Sequence, residues 1–334
     1  MTTVAAGQTL TIAAGQTSTG VVVLSGGSLY VNSGGTASAA TISSGGIQYV
    51  SSGGTASGTV VSSGAMLEVF GGGTLLAPSI QAGGIFELGS GYTLSGGTLS
   101  AGEIVFVASA GSALSQTIAS GNQLYVLTNG AATSTTVQSG GKLTVSSGAT
   151  ISNTTVLGGA TFGMGAFGTA VSTTLSSGVV YTLASGATWS AGIVSSGAFA
   201  TINSGGIARN ATIASGGTEW INAGAVASNT TVLAGGSQIV SSGGTGLGTI
   251  LSGGVEIVSS GGIANAPVIN AGGVLTMQAG ATLLGTPIIA AGGALQVASG
   301  FTLGVSSGVA LSGVVVQSGG IEVISSGAIL SGVT

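Results

Sequence analysis

The sequence contains no cysteine, no histidine and no aspartate, and its 334 residues include only two basic and six acidic side chains. Without cysteine and histidine there is no disulfide framework, no zinc site and no activated thiol or imidazole. Without aspartate there is no ordinary calcium loop. Two cations cannot neutralise a phosphate backbone, so we expect no nucleic-acid partner. We therefore expect no catalytic residue, no cofactor, no metal and no enzymatic activity.

Long apolar runs are also missing, although the mean hydropathy is +0.73. Alanine, valine, isoleucine and leucine are interrupted at short intervals by glycine, serine and threonine. A transmembrane helix needs about 20 consecutive apolar residues, so we expect no membrane insertion by this chain. Glycine, by contrast, accounts for 67 of the 334 residues, which indicates a chain rich in tight turns.

Aliphatic residues and glycines recur along the chain with one fixed period. Every position taken in steps of 19 from Val4 to Val232 is valine, isoleucine or leucine. Three positions later, the same steps from Gly7 to Gly235 give glycine each time. The phase continues with small insertions and deletions to Val316, giving about 17 copies.

The period predicts an all-β protein, a single β-solenoid of about 17 coils. Within residues 136–151, Leu143 and Val145 alternate with polar residues, as on a strand with one buried face, and Ser-Gly corners separate the strands. One period is the right length for one coil, and coils about 4.8 Å apart would form a rod of roughly 80 Å. We expect one continuous repeat domain over residues 1–334, with an irregular insertion near 305–312 and no obvious caps.

Two stretches carry a family resemblance. The sequences Ser-Ser-Gly-Gly-Thr-Ala-Ser-Gly-Thr-Val-Val-Ser-Ser-Gly at 51–64 and Ile-Val-Ser-Ser-Gly-Gly-Ile-Ala at 257–264 resemble the short repeats of AIDA-type autotransporter adhesins. The resemblance implies an extracellular β-helix passenger on the bacterial cell surface, with adhesion and self-association as its role. It also implies O-glycosylation on repeat serines, and the candidate acceptors at Ser-Ser-Gly corners are Ser44, Ser52, Ser63, Ser147, Ser242 and Ser260.

The few acidic residues break the repeat at two kinds of position. Glu68 and Glu87 are separated by one full period, so we expect them side by side on the polar face of adjacent coils. Glu219, Glu256 and Glu322 stand where other coils carry leucine. Either the strand flips locally at these three residues or they lie near a corner, within reach of water. We expect the corner, because a buried lone carboxylate is costly.

An outward column of aromatic residues is predicted one position after those glutamates. A ribbon of exposed aromatics on a soluble protein often marks an interface. We expect lateral bundling of rods or attachment to cell surfaces or matrix polysaccharide through Tyr30, Tyr49, Phe106, Tyr125 and Trp220.

The two ends of the sequence lack the polar caps that solenoids ordinarily carry. Uncapped coils present unpaired strand edges, which favour head-to-tail association that does not close into a ring. We therefore expect a homopolymer with an end-to-end interface at Val4, Leu10, Ile12, Val316, Val323 and Ile329.

These features predict a structural protein that self-assembles end to end into an extracellular filament, as a surface fibre or biofilm matrix. The alternative is a monomeric adhesin passenger, a rod displayed on the bacterial surface for attachment and aggregation. An ice-binding solenoid is disfavoured because the Thr-x-Thr pairs do not recur in phase with the period.

Overall fold

The computed structural model describes residues 2–334, which form strands and turns and no helix. Each coil contains a long strand, a middle strand and a short strand joined by glycine-rich turns. The predicted β-solenoid of about 17 coils is confirmed. None of the described residues belongs to a helix that could cross a membrane.

The strands fall into three series along the chain. The long strands are Thr9–Ile12, Ser28–Val31, Ile47–Val50, Met66–Val69, Ile85–Leu88, Ile104–Val107, Gln123–Val126, Lys142–Val145, Thr161–Met164, Val180–Leu183, Phe199–Ile202, Thr218–Ile221, Ser237–Val240, Val255–Val258, Val274–Met277, Ala294–Val297 and Val314–Val316. The middle strands are Thr17–Thr19, Thr36–Ser38, Thr55–Ser57, Thr74–Leu76, Ala131–Thr133, Thr150–Ser152, Thr169–Val171, Thr188–Ser190, Ile207–Arg209, Val226–Ser228, Thr245–Leu247, Ile263–Asn265, Thr282–Leu284, Thr302–Val305 and Ile321–Ile324. The short strands are Thr3–Val4, Val22–Val23, Thr41–Ile42, Val60–Val61, Ser79–Ile80, Thr136–Val137, Thr155–Val156, Thr174–Leu175, Ile193–Val194, Thr212–Ile213, Thr231–Leu233, Ile250–Ser252, Val268–Ile269, Ile288–Ile289, Ala310–Ser312 and Ile329–Ser331. Middle and short strands are merged in Thr93–Thr98 and Ser112–Ile118.

The coils group into two compact units, and each is built by parallel pairing of successive coils. Unit 1 comprises residues 1–155 and 159–163, and unit 2 comprises residues 156–158 and 164–334. In unit 1, Thr9–Ile12 pairs with Ser28–Val31, each residue opposite its equivalent in the next coil. In unit 2, Phe199–Ile202 pairs with Thr218–Ile221 in the same register. The single continuous domain over residues 1–334 stays a prediction.

The core of each unit is a set of stacked aliphatic columns. On Ser28–Val31, Leu29 and Val31 are buried, whereas Ser28 and Tyr30 are partly exposed. Removing a leucine side chain of this kind from water stabilises the fold by about 2 kcal/mol. The same column is repeated in the next coil of the ladder, so the core is continuous along the stack within each unit.

The glycine column is required by backbone conformation and by space. Gly45 has φ of +74°, and a Cβ built on it would lie 2.6 Å from Oγ of Ser25 in the preceding coil. A side chain at this position would therefore be strained and would also collide with the neighbouring coil. This explains why glycine recurs at the same corner of successive coils.

The irregularity predicted near residues 305–312 is a change in turn length. Thr302–Val305 and Ala310–Ser312 are strands, and they pair with Ile321–Ile324 and Ile329–Ser331 of the next coil. The turn between these two strands is longer than in other coils, and the turn from Ala310–Ser312 to Val314–Val316 is shortened to the single residue Gly313. The irregularity is therefore absorbed within the coil and forms no separate inserted segment. As a consequence, Val316 pairs with Val297 on a long strand and does not continue the short strands.

At two places in residues 2–334, the middle and short strands do not pair with those of the following coil. In unit 1, Thr74–Leu76 and Ser79–Ile80 end their sheets, and Thr93–Thr98 begins another. In unit 2, Thr282–Leu284 ends its ladder and Thr302–Val305 begins a new one, beside a cavity of about 520 Å³. The long strands stay paired at both places. We call these two places the open joints.

Candidate functional site

A column of aromatic and acidic side chains lies on the outer face of the long strands of unit 1. Its members are the third residues of successive long strands, each opposite the next in parallel register. We call this column the acid–aromatic face, and its members are Tyr30, Tyr49, Glu68, Glu87, Phe106 and Tyr125. All six are partly exposed.

The aromatic residues form two pairs, one on each side of the glutamates. The rings of Tyr30 and Tyr49 are stacked, with centroids 4.6 Å apart and planes 15° apart. The rings of Phe106 and Tyr125 are tilted by 51°, with centroids 5.1 Å apart. Stacked rings on adjacent coils follow directly from the strand spacing of about 4.8 Å.

The two glutamates between the aromatic pairs are in register with each other. Burial raises the pKa of Glu68, and the charge of Glu87 raises it further. Burial also raises the pKa of Glu87. The phenol of Tyr49 has a raised pKa, first through burial and then through the charges of Tyr30 and both glutamates. The face is thus a site of unfavourable negative potential.

The far end of the face carries the one basic side chain of unit 1. The chain has two basic residues, Lys142 and Arg209, and Arg209 belongs to unit 2. The ammonium of Lys142 lies 5.1 Å from the ring centroid of Tyr125 and 3.1 Å from its hydroxyl oxygen. The ammonium therefore lies beyond the edge of the ring and donates a hydrogen bond to the phenol oxygen.

An apolar column runs beside the acid–aromatic face. It consists of the first residues of four long strands, which point outward and are partly exposed: Ile47, Met66, Ile85 and Ile104. On the other side, the ring of Phe70 lies against Gly89, where a Cβ would come within 2.8 Å of the ring. Glu68 and Glu87 are therefore flanked by apolar side chains on both sides.

The structure brings together four of the five residues of the predicted lateral ribbon, as two pairs. The fifth, Trp220, lies in unit 2, where it is 45% exposed and stands opposite Thr201 and Ile239. All five side chains are on outward positions of long strands. Their role as a lateral contact stays a prediction.

The residues of the predicted end-to-end interface differ in exposure. Val4 and Ile12 are buried, so only their backbones lie at the edge of the first coil. Leu10 and Val316 are partly exposed. Val323 is 54% exposed and Ile329 is 63% exposed. Unit 2 therefore offers apolar side chains at its last coil, whereas unit 1 offers mainly backbone at its first.

The candidate glycosylation sites are all accessible. Each is the second serine of its corner, and all are exposed: Ser44, Ser52, Ser63, Ser147, Ser242 and Ser260. Most of them also face a glycine of the next coil, as Ser44 faces Gly64. Whether they are modified stays a prediction.

A second group of polar residues, with two of the glutamates, lies inside the solenoid. The predicted position at a corner is wrong for Glu219 and Glu256. Glu219, Gln238 and Glu256 lie on consecutive long strands and are fully buried, not at a corner near water. The amide of Gln238 donates to Oε2 of Glu219 at 2.7 Å. The hydroxyl of Thr249 lies 2.9 Å from Oε1 of Gln238 and 3.2 Å from Oε1 of Glu256, and Thr230 contacts Glu219 at 3.4 Å. We call these five residues the inner polar ladder.

Burial in the inner polar ladder shifts its carboxyl groups toward the neutral form. Burial raises the pKa of Glu219 to about 7 and that of Glu256 to about 8, and hydrogen bonds only partly offset this. Space for Glu256 comes from Gly246, because a Cβ there would collide with its Oε1. Gln48 in unit 1 is buried in the same way and accepts a hydrogen bond from Thr59 at 3.1 Å.

Glu322 does not share the position of the other two glutamates. It lies on the middle strand Ile321–Ile324, opposite Leu303, and is partly exposed. The turns near residues 306–313 differ in length from those of the other coils, so the repeat pattern beyond them is out of phase with that of the earlier coils. Matching Glu322 to the other two glutamates by that pattern therefore assigns it to the wrong strand.

Comparison with known families identifies the repeat at the beginning of the chain. Residues 3–65 match the AIDA family, described as adhesin of bacterial autotransporter system, probable stalk. The AIDA-type character of the repeat is thereby confirmed. The match implies a surface-exposed, extracellular location, as the sequence predicted. No curated protein matches the sequence.

Two solved structures align with nearly the whole chain. The hyper-glycosylated TibA55-350 fragment, modified by TibC, has 27% sequence identity and a TM-score of 0.48, over 99% of this chain and 98% of that fragment. Endo-xylogalacturonan hydrolase from Aspergillus tubingensis has 13% identity and a TM-score of 0.21, over 96% of this chain and 100% of the hydrolase.

Proposed function

We propose that the chain is a non-enzymatic structural protein of the bacterial surface, an adhesin stalk whose outer faces mediate attachment and aggregation. The observation that carries this proposal is the match of residues 3–65 to the adhesin stalk family. The coil-to-coil register of those residues recurs in the later coils of both units, as between Phe199 and Thr218. The same architecture therefore extends well beyond the matched residues.

The positions of the acidic residues support a non-enzymatic role. Glu219 and Glu256 are enclosed in the core, where no substrate reaches them. Glu68 and Glu87 lie on an outer strand face among hydrophobic side chains and not in a cleft that excludes water. General acid–base chemistry needs a positioned substrate beside its carboxylates.

The finer proposal is that the molecules associate end to end into filaments. The exposed Val323 and Ile329 at the last coil support it, together with the strand edges of the first coil. Parallel edges can pair with the edge of another molecule and bury such side chains. The alternative is a monomeric passenger, in which these edges are covered in another way.

Electron microscopy of the purified chain over a range of concentrations tests the finer proposal. Unbranched fibres with an axial repeat of roughly 80 Å support end-to-end association. Val323→Lys with Ile329→Lys should abolish the fibres, because lysine on a strand edge opposes pairing. The matched control is Val180→Lys, at a valine that is 68% exposed away from the ends. Discrete particles at all concentrations would contradict the filament and favour the monomeric passenger.

Attachment itself is tested by coating beads with the chain and measuring their adhesion to cells and to each other. The proposal expects adhesion and clumping well above those of uncoated beads. Beads that neither attach nor clump would contradict the adhesive role, whatever the oligomeric state.

Glycosylation of the corner serines is a separate part of the proposal, supported by their exposure. Peptide mass spectrometry of the protein from its natural host tests it. Peptides heavier than their unmodified sequence at these serines, with the added mass lost when the six serines are changed to alanine, support modification. Unmodified peptides at all six serines contradict it.

A further inference from the structure

The acid–aromatic face holds two carboxylates that have no positive partner within residues 2–334. Glu68 and Glu87 are directly opposite on adjacent strands, about 4.8 Å apart by strand spacing. Their mutual repulsion is felt in a partly desolvated environment, which strengthens it. Unit 1 has one basic residue, Lys142, and it lies beyond Tyr125, three coils from Glu87. A positive group placed at the glutamates would therefore be attracted.

The same column already binds an ammonium group at its far end. The Nζ atom of Lys142 lies beside the hydroxyl edge of Tyr125 and donates a hydrogen bond to its hydroxyl oxygen at 3.1 Å. This contact shows that a phenol of the column accepts a hydrogen bond from a lysine head group. It is independent of the glutamates.

The surroundings of the glutamates suit the whole of a lysine side chain. Tyr49 and Phe106 flank the pair along the column, and each is a ring that can attract a cation. Met66 and Ile85 lie beside the glutamates on the same strands, with apolar side chains partly exposed. A lysine packs its methylene stem on apolar surface and keeps its charged end at polar groups.

We infer that the acid–aromatic face binds lysine side chains of a partner polypeptide, with the ammonium groups held at Glu68 and Glu87 between Tyr49 and Phe106. This deepens the proposed adhesive role, on which it rests only for the accessibility of the face outside the cell.

An amine-bearing polysaccharide would present the same charge but a different body. A sugar ring can stack its C–H face on an aromatic side chain, but the hydroxyl groups around its rim need hydrogen-bonding side chains beside the stack. The column beside the glutamates offers Ile47, Met66, Ile85 and Ile104 instead. The apolar flank therefore favours a lysine-bearing polypeptide over an amino sugar.

Binding is measured by isothermal titration of the full chain at low salt with hexalysine, with hexalysine acetylated on its side chains, and with a glucosamine hexamer. We expect hexalysine to bind and the acetylated peptide not to bind. Glu68→Gln with Glu87→Gln should weaken hexalysine binding by roughly tenfold or more. Tyr49→Leu should weaken it by a smaller factor, because the ring is lost while an apolar side chain is kept.

The matched control is Glu322→Gln, which removes a negative charge in unit 2, outside the face. It should leave hexalysine binding unchanged, and circular dichroism should show that every variant keeps its strands. Equal binding by the parent chain and the double glutamine variant would overturn the inference, as would no binding of hexalysine. Tighter, glutamate-dependent binding of the glucosamine hexamer would replace the polypeptide partner by an amino sugar. None of these results depends on bead adhesion or fibre formation, so this inference and the proposed function fail separately.

Discussion

Unit 1 and unit 2 each carry a group of glutamates on the long strands, yet the two groups occupy opposite sides of the sheet. Glu68 and Glu87 are the third residues of their strands and point outward. Glu219 and Glu256 are the second residues and are fully buried. A difference of one position along the strand turns a partly exposed carboxylate into a buried carboxyl group with a raised pKa of about 7 or about 8, because side chains alternate between faces.

Threonines facing the long strands give the inner polar residues hydrogen-bond partners, and Glu256 shares Thr249 of the preceding coil. Thr230 and Thr249 follow Glu219 and Gln238 at the same interval and lie on the facing wall of the same coil. Gly246 leaves room for Glu256. Within residues 2–334, the outer glutamates have no such partners and rely on water. Burial of a carboxyl thus depends on an arranged neighbourhood and not on the strand alone.

The largest effect on stability should come from placing a glutamate on the inner side of a long strand in unit 1. Leu67 is fully buried, and Ala56 stands in the preceding coil at the position where Gly246 leaves room for Glu256. Leu67→Glu should lower the free energy of unfolding by about 4 kcal/mol at pH 8. Glu68→Leu, one position away, should change it by less than about 1 kcal/mol. Urea unfolding followed by circular dichroism measures both, and similar losses would contradict the role of strand alternation.

A pH titration should distinguish unit 2 from unit 1. The pKa values of Glu219 and Glu256 are raised in the folded state to about 7 and about 8, against 4.5 for the free side chain. Their contribution to stability is therefore fully present below pH 4.5 and is lost as the pH rises through 7 to 8. The loss should be on the order of a few kcal/mol.

Tryptophan fluorescence reports this loss selectively, because both tryptophans, Trp189 and Trp220, lie in unit 2. Urea midpoints measured between pH 5 and pH 9 should fall with rising pH in the parent chain. The variant Glu219→Gln with Glu256→Gln should show a much flatter profile. An unchanged slope in that variant would show that other groups cause the pH dependence.

Replacing a buried polar pair of unit 1 should be mildly stabilising. Among the described residues, the amide nitrogen of Gln48 has no partner in the core, and its oxygen is bonded to Thr59. Gln48→Leu with Thr59→Val should raise the free energy of unfolding by roughly 1 kcal/mol. Gln48→Leu alone should gain less, since the hydroxyl of Thr59 is then left unpaired. A destabilised double variant would indicate that the pair organises the coil.

The smallest effect on stability is expected from substitution of the outer glutamates, Glu68 and Glu87. The charge of Glu87 raises the pKa of Glu68, so Glu87→Gln should lower that pKa toward its ordinary value. The gain in stability should be less than about 0.5 kcal/mol, because both side chains are partly in water. An NMR titration of the Glu68 carboxyl checks the shift, and Glu322→Gln serves as the control that leaves it unchanged.

The repeat reveals the coils and their corners because glycine and aliphatic residues are needed in every coil. Gly45 and Ile42, for example, follow from period alone. The outward position of Tyr30 and Tyr49 likewise follows from alternation along the strand. These features depend on local geometry that each coil repeats.

Which large or polar side chains occupy the core could not be predicted from the period, because this depends on contacts between positions distant in the sequence. Trp189 is fully buried in a column that is otherwise mostly alanine, between Ala170 and Ala208. It fits because Gly192 leaves space for the indole and because Tyr181 packs against it at 5.5 Å. A search for paired exceptions in one coil would have placed Gln48, Glu219 and Gln238 correctly, because each is followed in the same coil by a threonine that bonds to it. It would have missed Glu256, whose coil has Pro267 at that position.

The open joints have a mechanical consequence. At each of them the long strands are the strands that pair between the two coils, and in unit 1 two turn hydrogen bonds, Gly71 to Ser90 and Gly83 to Gly102, add to them. In most other coils the middle and short strands pair with the next coil as well. Under tension along the stack, each unit should yield first between Thr74–Leu76 and Thr93–Thr98, or between Thr282–Leu284 and Thr302–Val305. Single-molecule extension should show these separations as the earliest steps, before any coil unravels. Under shear, a surface protein built in this way should separate first at its open joints while its other coils stay paired.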